Sequence, residues 1–316
     1  MSSLLVIGEC MMELNTQSDN GYSKAFAGDS YNCAVYAKRW QPLLNVSYLT
    51  AVGTDNISEE MLNQWASEDI DHSLVMKVEQ AQPGIYIIST DDEGERSFSY
   101  WRKNSAATQL MQALANVGGE EAIPYFDYVY FSGISLAILN DNDKKLLLDL
   151  IQNLRGRGAK IAFDPNYRAS MWQSEAHAKF WLESAYQCCD IALPGLDEHN
   201  LLFKQTKPQE VREQLQKFGV RESVVKCGEQ GVCCYGGNDS FNHLPFTPAE
   251  NQLDSTAAGD SFAGTYLASR IVGQSRVESL ENAAKIAGFV VQHKGAIVNK
   301  LRYQEFVADI DEVYHE

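Results

Sequence analysis

No apolar run in this 316-residue chain approaches the ~18–20 residues that a membrane-crossing helix needs, so no span is expected. The first residues, Met1-Ser2-Ser3-Leu4-Leu5-Val6-Ile7-Gly8-Glu9, lack a basic leader and soon turn acidic. They read as a first strand rather than a signal peptide. Positive charge is scarce: 26 lysines and arginines face 42 aspartates and glutamates, a formal net charge of −16. The acidic residues are scattered rather than gathered in a tail, which disfavours nucleic-acid and anionic-membrane partners. An anionic small molecule would then need a local basic pocket, so an arginine inside an aromatic segment carries weight.

Several catalytic signatures are missing too. There is no G-x-x-x-x-G-K-[ST], and no G-x-G-x-x-G follows the first strand, which removes the P-loop and ordinary dinucleotide readings. Six scattered histidines form no H-E-x-x-H, and Ser132-Gly133 does not sit inside G-x-S-x-G. The seven cysteines, at 10, 33, 188, 189, 227, 233 and 234, show no C-x-x-C or histidine-linked metal spacing. They read as reduced, mostly buried thiols, and the expected location is the cytoplasm.

What is present is a globular α/β pattern. The chain is 45% hydrophobic and holds no low-complexity run, internal repeat or linker, so residues 1–316 are expected to form a single domain. Short apolar runs at 4–7, 46–52, 128–132, 160–164, 189–193 and 223–226 read as strands, alternating with helical patterns near 57–66, 143–154, 176–186, 196–203 and 210–218. That order predicts a mostly parallel sheet covered by helices. Residues 231–235 and 241–246 read as further strands that could add antiparallel to the edge, and two helices near 259–272 and 277–293 are expected to close the fold. Residues 83–90 and 96–102 are β-rich runs joined by the turn-like Asp91-Asp92-Glu93-Gly94-Glu95, a hairpin that would lie over the body as a lid. After Gly28, either Asp29 or Ser30 can cap a helix, which puts Gly28, Asp29 and Asn32 at its mouth.

The stretch Asp254-Ser255-Thr256-Ala257-Ala258-Gly259-Asp260 enters another helix. Small residues let backbone amides approach an anion, and the helix start adds its positive dipole end. Asp260 is the candidate for proton chemistry; the alternative is that Asp254 or Ser255 merely caps the helix. Further polar clusters follow strand candidates at 164–168, 194–198 and 226–231, the edge where open α/β sheets place ligands.

Taken together, residues 6–11, Gly28-Asp29, Tyr100-Trp101-Arg102 and 254–260 resemble the ribokinase-like (PfkB) carbohydrate kinase family, and within it the 2-keto-3-deoxygluconate kinases. The family signature D-T-x-G-A-G-D has Ser255 and Ala257 at two positions here, and Thr265 stands where Gly or Ala is usual. The resemblance implies a three-layer ribokinase-like fold with a small β lid from segments near 10–27 and 83–103. It implies transfer of phosphate from ATP, with Mg2+, to the terminal hydroxyl of 2-keto-3-deoxygluconate. Asp260 would be the general base and Ala257, Ala258 and Gly259 the anion hole. Gly28, Asp29 and Asn32 would read sugar hydroxyls, with Tyr86, Tyr100, Arg102 and Arg168 at the acid end.

Asn166, Tyr167, Arg168, Lys226, Gly228, Gly231 and residues 257–260 would hold ATP. The N-x-x-E metal motif has Gly195 in place of Asn, leaving Glu198 available, and no direct metal ligand is assigned. An arginine pairs well with a carboxylate, whereas a neutral hexose offers Arg102 no such partner. Trp101 is expected to point away from Arg102 into packing. Ile85, Ile87, Phe98 and Tyr100 could supply an apolar lid face or equally pack against the chain's own core, and homo-oligomerisation through the lid is expected. The alternatives are a kinase for fructose or ribose and a sensor that has lost catalysis on the same fold.

Overall fold

The computed structural model describes residues 2–16, 21–90, 96–237 and 240–313. The chain begins with β1 (Ser3–Ile7), β2 (Met11–Thr16), β3 (Tyr22–Ala27), α1 (Asp29–Trp40), β4 (Asn45–Leu49), β5 (Ala51–Val52), α2 (Asn56–Ser67) and β6 (Met76–Lys77). It continues through β7 (Gly84–Thr90), β8 (Arg96–Trp101), α3 (Leu110–Asn116), β9 (Tyr128–Ser132), α4 (Gly133–Ala137), α5 (Asp141–Gly156), β10 (Lys160–Asp164) and α6 (Glu175–Cys188). Then follow β11 (Ile191–Ala192), α7 (Leu196–Phe203), α8 (Pro208–Lys217), β12 (Glu222–Lys226), β13 (Val232–Tyr235), β14 (Phe241–Leu244), α9 (Ala258–Ile271), α10 (Arg276–Val290) and α11 (Lys300–Val313).

The main sheet has eight strands in the order β14-β13-β12-β11-β10-β9-β1-β4. The run from β4 to β12 is parallel, and β13 and β14 are antiparallel additions at the edge. Parallel strands are covered on both faces, and the alternation of side chains shows how. Leu5, Ile7, Val129, Phe131, Ile161 and Phe163 pack on the α5 and α6 side. Leu4, Val6, Tyr128, Tyr130 and Ala162 turn to the other side and meet α1, α9 and α10. Each buried Leu, Ile, Val or Phe among them contributes about 1.5–3 kcal/mol relative to exposure.

Where α1 crosses α9 the backbones nearly touch. A Cβ at Gly264 would stand 2.3 Å from the Cys33 carbonyl oxygen, so only glycine permits this approach. The close crossing brings the first turns of both helices to one place.

A second sheet, in the order β3-β2-β7-β8, takes its strands from both segments expected to build the lid. β7 and β8 pair antiparallel; the hairpin turn expected at 91–95 lies outside the described residues. The register splits the expected apolar face. Tyr86 and Ile88 pair with Tyr100 and Phe98, whereas Ile85 and Ile87 pair with Trp101 and Ser99 and turn to the opposite face.

The structure departs from the sequence reading elsewhere. The strand expected at 46–52 divides into β4 and β5 in different sheets. A third helix, α11, follows the two expected to close the chain; Tyr303 packs it on Tyr36 and Phe289. Neither Asp29 nor Ser30 caps α1: Gly28 is its N-cap residue, where a Cβ would stand 2.2 Å from the Glu9 carbonyl oxygen. Trp101 is 60% exposed rather than packed. All seven cysteines are buried and unbridged. Among the described residues no helix is long and apolar enough to cross a membrane.

Candidate active site

Two helix starts face one another beside the ends of the parallel strands. The N-cap residue of helix α9 is Ala257, whose φ of 61° is left-handed, and no side chain makes a capping hydrogen bond there, so neither Asp254 nor Ser255 caps the helix. Asp254 ties the loop instead, accepting from the Thr256 amide at 2.9 Å and from the Gly295 amide at 2.7 Å. Helix α1 likewise has no side-chain cap. Uncapped first-turn amides and two dipole ends make this a favourable place for negative charge.

Asp260 lies in the first turn of α9, and its Oδ2 accepts from Asn32 Nδ2 of α1 at 2.8 Å. Burial pushes its carboxyl up to about 7, and the nearby Asp29 and Asp164 push the same way. The Asn32 hydrogen bond and the Lys226 ammonium pull it back only in part. A carboxyl poised near neutrality suits proton abstraction.

Asp29 accepts from Asn166 Nδ2 at 3.1 Å and from the Ser132 side chain; burial raises its carboxyl. Asp164, at the end of β10, accepts from Lys226 Nζ at 2.7 Å and from the Asn166 amide at 3.1 Å. Burial works against the Lys226 charge, but Asp164 and Glu198 overcome it and hold the ammonium firmly protonated. That ammonium lies 3.7 Å from where a Gly259 Cβ would project, beside the α9 start. Glu198 is pushed up to about 7, by burial first and Asp164 second. Its Oε2 accepts from the Gly195 amide at 3.3 Å, and a Cβ on Gly195 would stand 2.6 Å from Asp197 Oδ1. The neighbouring atoms are side-chain ends and Gly195 has an ordinary φ of −84°, so the turn itself does not demand glycine where the resemblance leads one to expect Asn.

On the side of the small sheet, Tyr86 stacks on Tyr100 at 5.6 Å between centroids and donates its hydroxyl to Glu13. Asn15 donates to the other Glu13 oxygen at 2.6 Å. The Arg102 guanidinium lies 5.9 Å from the Tyr100 ring centre and donates to Glu9.

The structure thus gathers Gly28, Asp29, Asn32, Asn166, Lys226, Ala257, Ala258, Gly259 and Asp260 around one point, with Arg102 acting on Asp29 from the small sheet. Arg168 is exposed and near enough to Glu198 to pull its carboxyl down, while Tyr167 packs partly buried on the α5 and α6 core. Gly228 and Gly231 shape the tight turn from β12 to β13, both at positive φ. The sequence reading missed Glu9, Glu13, Ser105, Ser132 and the pairing role of Asp164. For Glu9 and Asp164 a signal existed: each is a carboxylate at the exit of an otherwise apolar strand.

The architecture matches a solved putative Ribokinase II from E. coli, in complex with ATP and Mg2+, with a TM-score of 0.82. That likeness, at 21% identity over 98% of this chain and 100% of the other, defines the ribokinase fold. The pfkB family carbohydrate kinase profile matches residues 1–302, and the chain belongs to that family. The 2-dehydro-3-deoxygluconokinase of Escherichia coli (strain K12) is 38% identical over 299 residues, covering 93% of this chain and 96% of its own length. The 2-dehydro-3-deoxygluconokinase of Dickeya dadantii (strain 3937) is 36% identical over 300 residues, covering 94% and 96%.

Proposed function

We propose that this kinase phosphorylates 2-keto-3-deoxygluconate, the 2-dehydro-3-deoxygluconate of its relatives' name, at its terminal hydroxyl. ATP is the donor, and the products are ADP and 2-keto-3-deoxy-6-phosphogluconate. The observation that carries the reaction class is the Asp260 carboxyl, pushed up to about 7 and held by Asn32 at the uncapped start of α9. The substrate rests on the relatives at 36–38% identity over nearly their full length.

Asp260 takes the proton of the attacking hydroxyl as the new O–P bond forms and the bond to the ADP oxygen breaks. The first-turn amides around Ala257, Ala258 and Gly259 stabilise the charge on the transferred group, and Lys226 adds a cation beside them. Asn166, Tyr167, Arg168, Lys226, Gly228 and Gly231 line the approach of ATP. Among the described residues no three His, Cys, Asp or Glu side chains form a metal cage. Both Asp164 oxygens are taken, by Lys226 and the Asn166 amide, whereas Glu198 has an oxygen left for the water shell of a magnesium ion that keeps phosphates and water as its main ligands. Such an ion would neutralise phosphate charge. Gly28, Asp29 and Asn32 meet the sugar hydroxyls, while Tyr86, Tyr100, Arg102 and Arg168 face the acid end.

A kinase for fructose or ribose would offer no carboxylate to the Arg102 Nη1 that Glu9 leaves free, and a non-catalytic sensor would have no use for a base poised near 7. The small sheet acts as the lid, and two copies of the chain pair through it. The buried, unbridged cysteines suit a reducing cytoplasm. Coupled ADP release with 2-keto-3-deoxygluconate, fructose and ribose tests the proposal. The sugar acid is expected to turn over fastest, and Asp260→Asn to lose ~100-fold or more in kcat while still binding the sugar. Equal or faster turnover of fructose would overturn the substrate assignment.

A further inference from the structure

We infer that Glu9 is a positioning residue for the sugar-acid end of the site, acting through Arg102; the inference rests on the proposed substrate. Glu9 leaves the end of β1 and is only 1% exposed. Its Oε2 accepts from Arg102 Nη2 and its Oε1 from the Ser105 hydroxyl. These donors mark the two ends of the turn by which the small sheet returns to the body, a turn closed by the Ser105 amide on the Arg102 carbonyl at 3.1 Å. The next residue, Ala106, is already anchored, its amide donating to the Gln82 carbonyl at 2.8 Å. The entry of the hairpin lies against the same carboxylate: a Cβ at Gly84 would stand 2.9 Å from Glu9 Oε1. One buried group therefore sits at both the exit and the return of the β7–β8 hairpin.

The same carboxylate sets the direction of the arginine. Arg102 spends Nη2 on Glu9, while Nη1 has only the Met171 sulfur at 4.0 Å and buried Nε has no hydrogen-bond partner among the described residues. An arginine held at one corner, with Nη1 given no oxygen partner, is preorganised for a second carboxylate, that of the substrate. Glu9 is itself within electrostatic reach of Asp29 on the sugar side. Without Glu9, Arg102 would have to be ordered by the substrate itself, at a cost in sugar binding and not in ATP binding.

A double-mutant cycle on the full-length enzyme tests this, using steady-state kinetics with 2-keto-3-deoxygluconate and ATP. Glu9→Ala is expected to raise the sugar-acid KM about tenfold, with kcat and the ATP KM changed less than about threefold. Glu9→Gln, which keeps an acceptor for Arg102 and a polar partner for Ser105, should recover most of the loss. In an Arg102→Ala background, Glu9→Ala should add nothing. Additive KM effects, or an equal rise in the ATP KM, would overturn the inference. If Glu9→Ala does not fold, the same cycle with Glu9→Asp, one methylene short of its partners, decides by the same criterion. Failure of wild-type turnover on the sugar acid would instead strike the substrate assignment.

Discussion

Asp260 combines two properties that oppose each other in an exposed aspartate: it is kept from water, and it must hold a negative charge to act as a base. Burial and the neighbouring Asp29 and Asp164 raise its carboxyl to about 7, from an ordinary value of 3.8. The base works only when deprotonated, so kcat/KM should fall as the pH drops below about 7, an acidic limb measurable in a pH–rate profile. Glu198 is likewise raised to about 7, by burial first and by Asp164 second. Stability responds in the opposite sense. The folded protein holds the Asp260 proton more tightly than the unfolded chain, so its contribution is full below about pH 4 and is lost as the pH rises through 7. Asp260→Asn should therefore melt several degrees higher than wild type at pH 8, with the gain vanishing near pH 4. An equal gain at both values would mean that the carboxyl is not raised.

At the scale of elements, the site depends on how closely α1 and α9 cross. Asn32 and Asp260 sit one on each helix, and their 2.8 Å hydrogen bond needs the backbone contact at Gly264. A Gly264→Ala substitution would press a methyl group against the Cys33 carbonyl and, at 3.0 Å, the Ala37 nitrogen, both backbone atoms that cannot swing aside. A loss of about 1–3 kcal/mol is expected by thermal or denaturant unfolding. The kcat should fall further than KM rises, because base and partner separate. The first turn of α9 tolerates the changes from the family signature for a related reason. Ser255 and Ala257 are small, and Ala257 takes the left-handed φ of 61° that the signature glycine would adopt more easily.

At the scale of the molecule, the main sheet is buried between helices while the small sheet leaves aromatic groups in solvent. Trp101 is 60% exposed, Tyr100 52% and Phe98 43%. The register places Trp101 with Ile85 and Ile87 on one face, and Tyr100 and Phe98 with Tyr86 on the other. Tyr86 and Ile88 pack against Ala257 and Ala296 of the body, so the proposed pairing of two copies would use the opposite, Trp101 face. Trp101→Glu should convert an oligomer to a monomer in size-exclusion chromatography with light scattering. A wild-type chain that is already monomeric at micromolar concentration would refute pairing through this face.

The sequence by itself determined the parallel sheet, its antiparallel edge, the placement of polar residues at strand exits and the small-residue helix entry at 254–260. All of these follow from local periodicity and residue size, which act over a few neighbours. It did not determine the partners: Asn32 meets Asp260 across 228 residues, Arg102 meets Glu9 across 93 and Lys226 meets Asp164 across 62. Those pairings exist only because α1 crosses α9 at a glycine and because strands distant in the chain lie side by side. Nor did it determine the start of α1: Gly28 is the N-cap residue, and Asp29 accepts from Asn166 and Ser132 across the fold as well as from the Ser30 amide of its own helix. Tertiary structure decided these matters because the proton affinity of a carboxylate, and the freedom of an arginine, are set by the groups packed around them.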